Sequence, residues 1–140
     1  MPRARLAHGF VFVQDLERMI AFYERAFGFA TRPSSDPGFV VLSHGAPGAA
    51  GVALHRLPAD IAAGIEHVEP PAWRDDTAYK LTFETDDLDG LRSAILTEGG
   101  QAKKPWTWEG RIYCECADPE GNAIQLVTPN GRDASPGRTR

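Results

Sequence analysis

The sequence predicts an α+β fold in which two βαβββ repeats form a curved mixed sheet, with the helices on its convex side and a ligand pocket on its concave side. The spacing of polar residues predicts the repeat. His8 lies seven residues before Asp15, and Lys80 lies seven residues before Asp87, so the two segments match at an offset of 72, which is 80 − 8. A repeat of about half the chain length is a strong indication of architecture.

In the first half, the spacing of apolar residues changes between that of a strand and that of a helix in the order that a βαβββ module requires. A β-rich segment precedes Asp15, a good helix N-cap, and apolar residues then recur at helical spacing until Gly28 ends the run. Turn-rich segments separate the strands that follow. The predicted strands of this half are 6–13, a short strand near Thr31, 39–43 and 51–57.

The second half repeats this order with other side chains. Asp87 is again an N-cap, a buried stripe of helical spacing follows, and Gly99 and Gly100 stop the helix. The segment Asp118-Pro-Glu-Gly121 has Pro and Gly where a tight turn uses them. The predicted strands of this half are 79–85, a short strand near Lys103, 111–116 and 122–127.

Length and composition predict one globular domain, because 140 residues with 42% hydrophobic content suffice for a core without disulfide staples. Cys114 and Cys116 are i,i+2 neighbours on a predicted strand, which favours two core thiols over a disulfide. A single helical turn is expected at residues 60–64. The domain, residues 1–140, divides into a first module (5–57), a linker (58–78), a second module (79–128) and a disordered tail (129–140).

Charge and hydropathy limit the partners. A net charge of −4 argues against nucleic acid, because phosphate binding needs a basic face. No window approaches the ~20 apolar residues of a membrane span, and no secretory leader is evident at the amino terminus. We therefore expect a cytoplasmic protein whose partner is a small molecule, with neither nucleic acid nor membrane bound.

Because side chains alternate along a strand, the polar residues of both halves are expected on the sheet face that no helix covers. Leu81 and Phe83 form the more apolar face of their strand, so Lys80, Thr82 and Glu84 lie opposite. The helix must cover the apolar face. The offset of 72 makes His8 and Lys80 equivalent, and an offset of 70 makes His55 and Gln125 equivalent (125 − 55). All four polar residues are then expected on the uncovered face of the sheet.

The chain resembles the vicinal oxygen chelate superfamily, which includes glyoxalases, extradiol dioxygenases, fosfomycin-resistance transferases and bleomycin resistance proteins. Two motifs carry the resemblance: the helix end Phe22-Tyr23 to Phe27-Gly28, and the turn and strand Asp118-Pro-Glu-Gly-Asn122-Ala-Ile-Gln-Leu-Val127. The resemblance spans residues 5–128 and is more specific for the fold than for the reaction. It implies a homodimer.

The resemblance also implies one divalent metal ion, such as Zn, Ni, Mn or Fe, held at the four repeat-related places. Carried over by position, the ligands would be His8, His55 and Gln125, while the remaining place has Lys80. A protonated lysine has no lone pair, and an amide oxygen binds a divalent ion more weakly than a carboxylate does. We therefore expect either no cofactor or one weakly bound divalent metal.

A set of aromatic and charged side chains predicts the rest of a pocket. A buried ammonium without a partner costs several kcal/mol, and Glu84 lies about 13 Å along the strand from Lys80, so we expect an anionic group of the ligand to meet Lys80. Aromatic rings bury planar ligands by stacking, although the same rings could close the core or a dimer interface. The predicted ligand-binding residues are Lys80, Phe10, Phe12, Thr82, Glu84, Trp106, Trp108 and Arg111.

Two function classes follow. The first is a drug-sequestering or sensor protein that binds a small planar, partly anionic molecule without a complete metal site. The second is a metal-dependent lyase, isomerase or dioxygenase that uses His8, His55 and Gln125. The lysine among the four places favours the first class, and the sequence assigns no catalytic residue.

Overall fold

The computed structural model describes residues 2–46, 49–65 and 72–130. The chain divides into two compact units, Met1–Val68 and Glu69–Arg140, and their boundary falls within the predicted linker 58–78. Most of the predicted disordered tail, residues 131–140, lies outside the described residues. In the described ranges, no helix is both long enough and apolar enough to cross a membrane.

The first unit is a four-stranded mixed sheet with a helix on one face. Its elements are β1 (His8–Val13), α1 (Leu16–Phe27), β2 (Ala30–Pro33), β3 (Phe39–Ser43), β4 (Gly51–Arg56) and α2 (Ala59–Ala63). The strands lie in the order β1-β4-β3-β2. The β1–β4 pair is parallel, and the other pairs are antiparallel. Because α1 packs on β2, β3 and β4, only one face of this sheet is covered by a helix of its own unit.

The predicted helix signals of the first unit are confirmed at both ends of α1. The Asp15 side chain accepts a hydrogen bond from the backbone N–H of Arg18 at 3.1 Å, and Gly28 closes the helix in the left-handed conformation with φ of 71°. Both are standard ways to satisfy the free backbone groups of a helix end. The apolar stripe of α1 is buried against the sheet: Leu16, Met19, Phe22 and Tyr23.

The second unit repeats this plan with a five-stranded mixed sheet. Its elements are β5 (Leu81–Glu84), α3 (Leu88–Thr97), β6 (Gln101–Ala102), β7 (Trp106–Trp108), β8 (Arg111–Ala117) and β9 (Ala123–Val127). The strands lie in the order β5-β9-β8-β6, and β7 also pairs with β8. The β5–β9 pair is parallel, like β1–β4. The helix α3 begins after Asp87, which caps it by accepting from the Gly90 N–H at 2.9 Å, and packs on β6 and β8.

The α+β class and the repeated strand and helix order are therefore confirmed. The short strands expected near Thr31 and Lys103 correspond to β2 and β6, and the helical turn expected at residues 60–64 corresponds to α2. The structure adds β7, for which the sequence predicted no strand. The predicted strand 79–85 is shorter than expected, since β5 begins at Leu81 and Lys80 directly precedes it.

The two cysteines are core residues, as the sequence predicts. Both are free and buried, and their sulfur atoms lie 3.7 Å apart. Burial raises the pKa of the Cys116 thiol above its ordinary value, and the neighbouring Cys114 thiol raises that pKa further. Because the thiolate is the reactive form, Cys116 is chemically inert in the folded protein.

A buried aspartate organises the turn between β8 and β9. The Asp118 side chain is fully buried and accepts hydrogen bonds from the backbone N–H groups of Glu120 and Asn122 at 2.9 and 3.0 Å. The Asn122 amide also donates to its second oxygen at 2.9 Å. Gly121 lies in the left-handed region with φ of 84°, and its carbonyl accepts from the Arg74 N–H at 2.9 Å. The turn thus fixes both β9 and the segment that precedes β5.

We predict that Gly121→Ala destabilises the protein strongly. A Cβ at this position would lie 1.9 Å from the Ala72 carbonyl oxygen, so backbone must move in addition to the strain of a positive φ. We expect a loss of roughly 3 kcal/mol or more in the free energy of unfolding, measured by urea denaturation.

Gly110→Ala is the matched control. Gly110 also has a positive φ, of 75°, but among the described residues no atom beyond its chain neighbours lies within 4 Å of the place that a Cβ would occupy. It should lose only about 1 kcal/mol, the cost of the left-handed backbone. Equal losses for the two variants would show that the contact with Ala72 contributes nothing.

Candidate functional site

The open face of the first sheet carries an aromatic cluster. Phe10 and Phe12 are about half exposed, and the ring of Phe10 stacks on that of Phe39 at a centroid distance of 5.8 Å. The imidazole of His55 lies 5.9 to 6.2 Å from the rings of Phe10, Phe12 and Phe39. The register explains the cluster, because His55 is paired with both Phe12 and Phe39 across β4. Sequence analysis identified all of these residues except Phe39.

The strand register corrects the predicted equivalence of His55 and Gln125. Phe10 and Thr82 are related by the offset of 72, which is 82 − 10. Thr82 is paired with Gln125, whereas Phe10 is paired with Ala53. The place equivalent to Gln125 is therefore occupied by Ala53, and His55 lies two residues further along β4. The offset of 70 was wrong, and one of the four supposed ligand places has only a methyl group.

Both ring nitrogens of His55 already have partners. Its Nδ1 lies 2.7 Å from the backbone carbonyl oxygen of Arg56, and its Nε2 lies 3.4 Å from Oδ2 of Asp36. A carbonyl oxygen can only accept, so Nδ1 carries a proton in this arrangement. His55 is therefore held within its own unit by hydrogen bonding and by the surrounding rings.

The open face of the second sheet carries a connected polar network. The ammonium of Lys80 donates to Oε1 of Glu115, and the Gln125 amide donates to Oε2 of the same carboxylate at 3.0 Å. The hydroxyl of Thr82 donates to the Gln125 carbonyl oxygen at 3.2 Å. Glu115 and Gln125 face each other across the β8–β9 pair. Every member of this network is thus satisfied by another residue of the second unit.

The partner of Lys80 differs from the expectation. The sequence predicted no protein partner for this ammonium and an anionic ligand in its place. Instead Glu115 neutralises it, and the pair is partly exposed, with relative side-chain exposures of 42% for Lys80 and 25% for Glu115. The prediction that Glu84 is not the partner agrees with the structure, because the Glu84 carboxylate lies 3.2 Å from Nη2 of Arg111. Nε of Arg111 also donates to the Thr128 carbonyl at 2.9 Å.

Three aromatic side chains extend this face at its β7 edge. The rings of Trp106 and Tyr113 are stacked with a centroid distance of 4.6 Å and an interplanar angle of 16°. The ring of Trp108 lies 6.3 Å from that of Tyr113. Trp106 pairs with Tyr113 and Trp108 with Arg111 across β7 and β8, so both indoles lie on the sheet face that also has the polar network. Tyr113 is the residue that the sequence analysis missed here.

A cavity of about 320 Å³ lies in the second unit beside the Lys80–Glu115 pair. The segment before β5 forms one wall, and the Lys103 ammonium lies 4.8 Å from the centre of the Trp73 ring and 3.5 Å from Oδ2 of Asp75. Two acidic and two basic side chains therefore line it, so its charges balance. Its lining residues include Trp73, Asp75, Lys80, Lys103 and Glu115.

The structure brings together six of the eight predicted ligand-binding residues on one sheet face. Those on the second unit are Lys80, Thr82, Glu84, Trp106, Trp108 and Arg111. Phe10 and Phe12 share the open face of the first sheet. That both faces line one concave pocket stays a prediction.

The residues do not fit the metal ion that the resemblance implies. Ala53 provides no donor atom at one place, and Lys80 is an ammonium paired with Glu115 at another. The Gln125 oxygen already accepts from Thr82. In the described parts of the chain, no group of three or more His, Cys, Asp or Glu residues could hold a metal ion. Of the four places carried over from the resemblance, as the strand register corrects them, only that of His8 has a histidine.

Solved structures show the same fold. A glyoxalase/bleomycin resistance protein/dioxygenase family enzyme from Burkholderia phytofirmans PsJN is 24% identical, with a TM-score of 0.68 and coverage of 89% of this chain and 98% of that one. The fosfomycin resistance protein FosX from Mesorhizobium loti is 18% identical, with a TM-score of 0.64 and coverage of 93% and 95%. TnmS3, an antibiotic binding protein from Streptomyces sp. CB03234, is 20% identical, with a TM-score of 0.65 and coverage of 93% and 99%.

A comparison with curated proteins gave no match. The family model described as the Glyoxalase/Bleomycin resistance protein/Dioxygenase superfamily matches residues 5–126, which is most of the chain. The fold, the two repeats and the turn at Asp118 agree with this match. The chain therefore belongs to the Glyoxalase/Bleomycin resistance protein/Dioxygenase superfamily.

Proposed function

We propose that the chain binds a small planar, partly anionic molecule and needs no resident metal ion to do so. The observation that carries this proposal is the pair of exposed indoles beside the polar network on the open face of the second sheet. Trp106 is 42% exposed and Trp108 is 59% exposed. Exposed aromatic side chains next to a few convergent polar groups are typical of small-molecule sites.

The aromatic side chains supply the apolar part of the proposed site. Trp106 and Tyr113 hold each other in place by stacking, so their ring planes are fixed before a ligand arrives. Binding then costs little conformational entropy, which favours affinity. A planar ring placed on this platform gains stacking and buries apolar area of both partners.

The polar network supplies the orienting groups. A lysine ammonium has three N–H donors, and Lys80 uses one of them on Glu115, so two remain for acceptor atoms of a ligand. Since Glu115 offsets the charge of Lys80, this face selects a ligand by its hydrogen bonds more than by its net charge. Carbonyl, phenolate and carboxylate oxygens all suit such donors.

The antibiotic-binding and fosfomycin-resistance proteins among the solved structures support a role of the drug-binding kind. The alternative function, a metal-dependent lyase, isomerase or dioxygenase, requires an ion held by His8, His55 and Gln125. No contact in the described residues favours that assembly, because His55 and Gln125 both have protein partners. Metal binding decides between the two functions.

We predict that protein purified without chelator contains far less than one divalent ion per chain by elemental analysis. Added Zn, Mn or Ni should leave the melting temperature unchanged, because a ligand that binds the native state tightly would raise it. One ion per chain, together with a raised melting temperature, would support the metal-dependent alternative instead.

We predict that 4-nitrobenzoate, a planar aromatic acid, quenches tryptophan fluorescence saturably. Trp108→Ala should raise its dissociation constant about fivefold, the equivalent of about 1 kcal/mol for a stacked ring. Trp73→Phe is the control, because Trp73 lies in the segment before β5, in the cavity beside the Lys80–Glu115 pair, and is not one of the stacked rings of β7 and β8. If only Trp73→Phe lost binding, the ligand would lie in that cavity. This result would contradict the proposal that the ligand stacks on the rings of Trp106, Trp108 and Tyr113.

The Lys80–Glu115 pair predicts a specific pattern of stability. Lys80→Met should lower the free energy of unfolding by about 1 kcal/mol, since the pair is partly exposed and screened by solvent. Once Lys80 is absent, Glu115→Gln should cost little more, because the carboxylate has already lost its counter-charge.

Lys104→Met, which removes the same charge from an exposed position, should leave stability unchanged. Urea denaturation of the four combinations at positions 80 and 115 measures the coupling. Strictly additive effects of the two substitutions would mean that the ion pair contributes nothing.

A further inference from the structure

A second cavity, in the first unit, has a different electrostatic character. It encloses about 370 Å³ at the end of the open sheet face where β1 begins. Arg5, Arg32 and His8 line it, and none of its described lining residues carries a carboxylate. The described lining residues are Arg5, Ala7, His8, Arg32, Val41, Ser43, Gly45, Ala46 and Ala49.

The two guanidinium groups of this cavity lack a counter-charge in the described part of the chain. Neither Arg5 nor Arg32 has a hydrogen-bond or ion-pair partner among residues 2–46, 49–65 and 72–130. Arg56 and Arg111, in contrast, are paired, Arg56 with Glu17 at 2.8 Å and Arg111 with Glu84 at 3.2 Å. Two unpaired cations in the wall of one concavity produce a positive potential there, although the net charge of the chain is −4.

The strand register explains how the two arginines come to share a cavity. Arg32 is paired with Val41 across β2 and β3, so the two lie beside each other on the sheet. Arg5 precedes β1, which begins at His8 on the opposite edge of the same sheet. The side chains between them are short, since Val41 and Ser43 are followed by Gly45 and Ala46. This leaves space over the strands with a cationic group on either side.

The cavity also has neutral donors. The Ser43 hydroxyl accepts from the Gly45 N–H at 3.2 Å, which leaves its own proton for a ligand oxygen. The His8 ring lies 6.5 Å from that of Phe10, the first member of the aromatic cluster. An oxyanion between the arginines would thus have an aromatic surface beside it.

We propose that this cavity binds the oxyanion group of a small aromatic molecule, a carboxylate or a phosphoryl group, with Arg5 and Arg32 as its counter-charges. Guanidinium groups match the planar or tetrahedral oxygens of such anions with two hydrogen bonds each. This anion site goes beyond the proposed function, because it lies in the first unit and is argued without the aromatic platform of the second unit. It rests on residues of the first unit alone.

Isothermal titration calorimetry with phenyl phosphate, inorganic phosphate and benzoate tests the proposal at low salt. We expect phenyl phosphate to bind more tightly than inorganic phosphate, and Arg5→Gln and Arg32→Gln each to weaken it at least tenfold. Arg18→Gln, which removes the same charge from the exposed surface of α1, should change the affinity less than twofold. The ratio of phenyl phosphate to benzoate affinity distinguishes a phosphoryl from a carboxylate ligand.

Three outcomes would overturn the proposal. The first is an equal loss in Arg18→Gln, which would show unspecific attraction to positive charge. The second is binding that persists in the Arg5→Gln/Arg32→Gln double variant, and the third is the absence of binding at millimolar ligand. Unchanged melting temperatures confirm that the variants fold. If phenyl phosphate binding depends on the two arginines while 4-nitrobenzoate leaves the indoles unquenched, the platform proposal fails and this one stands.

Discussion

Each sheet buries one face under its own helix, and this constraint determines where every polar residue of the candidate site lies. Side chains alternate along a strand, so the residues between the buried ones must point to the other face. In the second unit that face has Lys80, Thr82, Glu115 and Gln125, while the buried residues of the neighbouring strands include Cys114 and Ile124. The polar network is therefore a consequence of the same alternation that builds the core.

The two units use their open faces differently because their charges are arranged differently. In the second unit Glu115 lies at the centre of the network and neutralises the lysine that would otherwise be a free cation. In the first unit Arg5 and Arg32 line a cavity whose described lining residues include no acid. A charged residue at a position carried over from a family is thus a poor guide to the charge of a site, because one carboxylate on the facing strand can neutralise it. No described residue neutralises the two arginines in this way.

Much of the fold could be predicted from the sequence because its signals are local. Asp15, Asp87 and Gly28 act at helix ends through their own side chains or backbone, and period changes define the strands around them. The β8–β9 register was also within reach, since a hairpin that closes at Ala117 and Ala123 places Glu115 opposite Gln125.

The candidate site was harder to predict because it depends on pairing between distant strands. The offset between the halves was taken as 72 at the first strand and 70 at the last, and only the parallel register of β1 with β4 shows that Ala53 is the residue equivalent to Gln125. The residues around Asp36 do not predict its contact with His55, and those around Tyr113 do not predict its stacking on Trp106. Arg5 and Arg32 are 27 residues apart (32 − 5), and no pattern in the sequence connects them.

The account depends on ligand binding that does not pass through a metal ion. The most direct measurement is a calorimetric titration of 4-nitrobenzoate into the protein in excess EDTA, compared with the same titration in the presence of one equivalent of Zn or Mn. We predict the same dissociation constant in all three conditions, because the aromatic and polar side chains of the proposed site need no ion to be in place. Saturable binding that disappears in EDTA and returns with the metal would contradict the account.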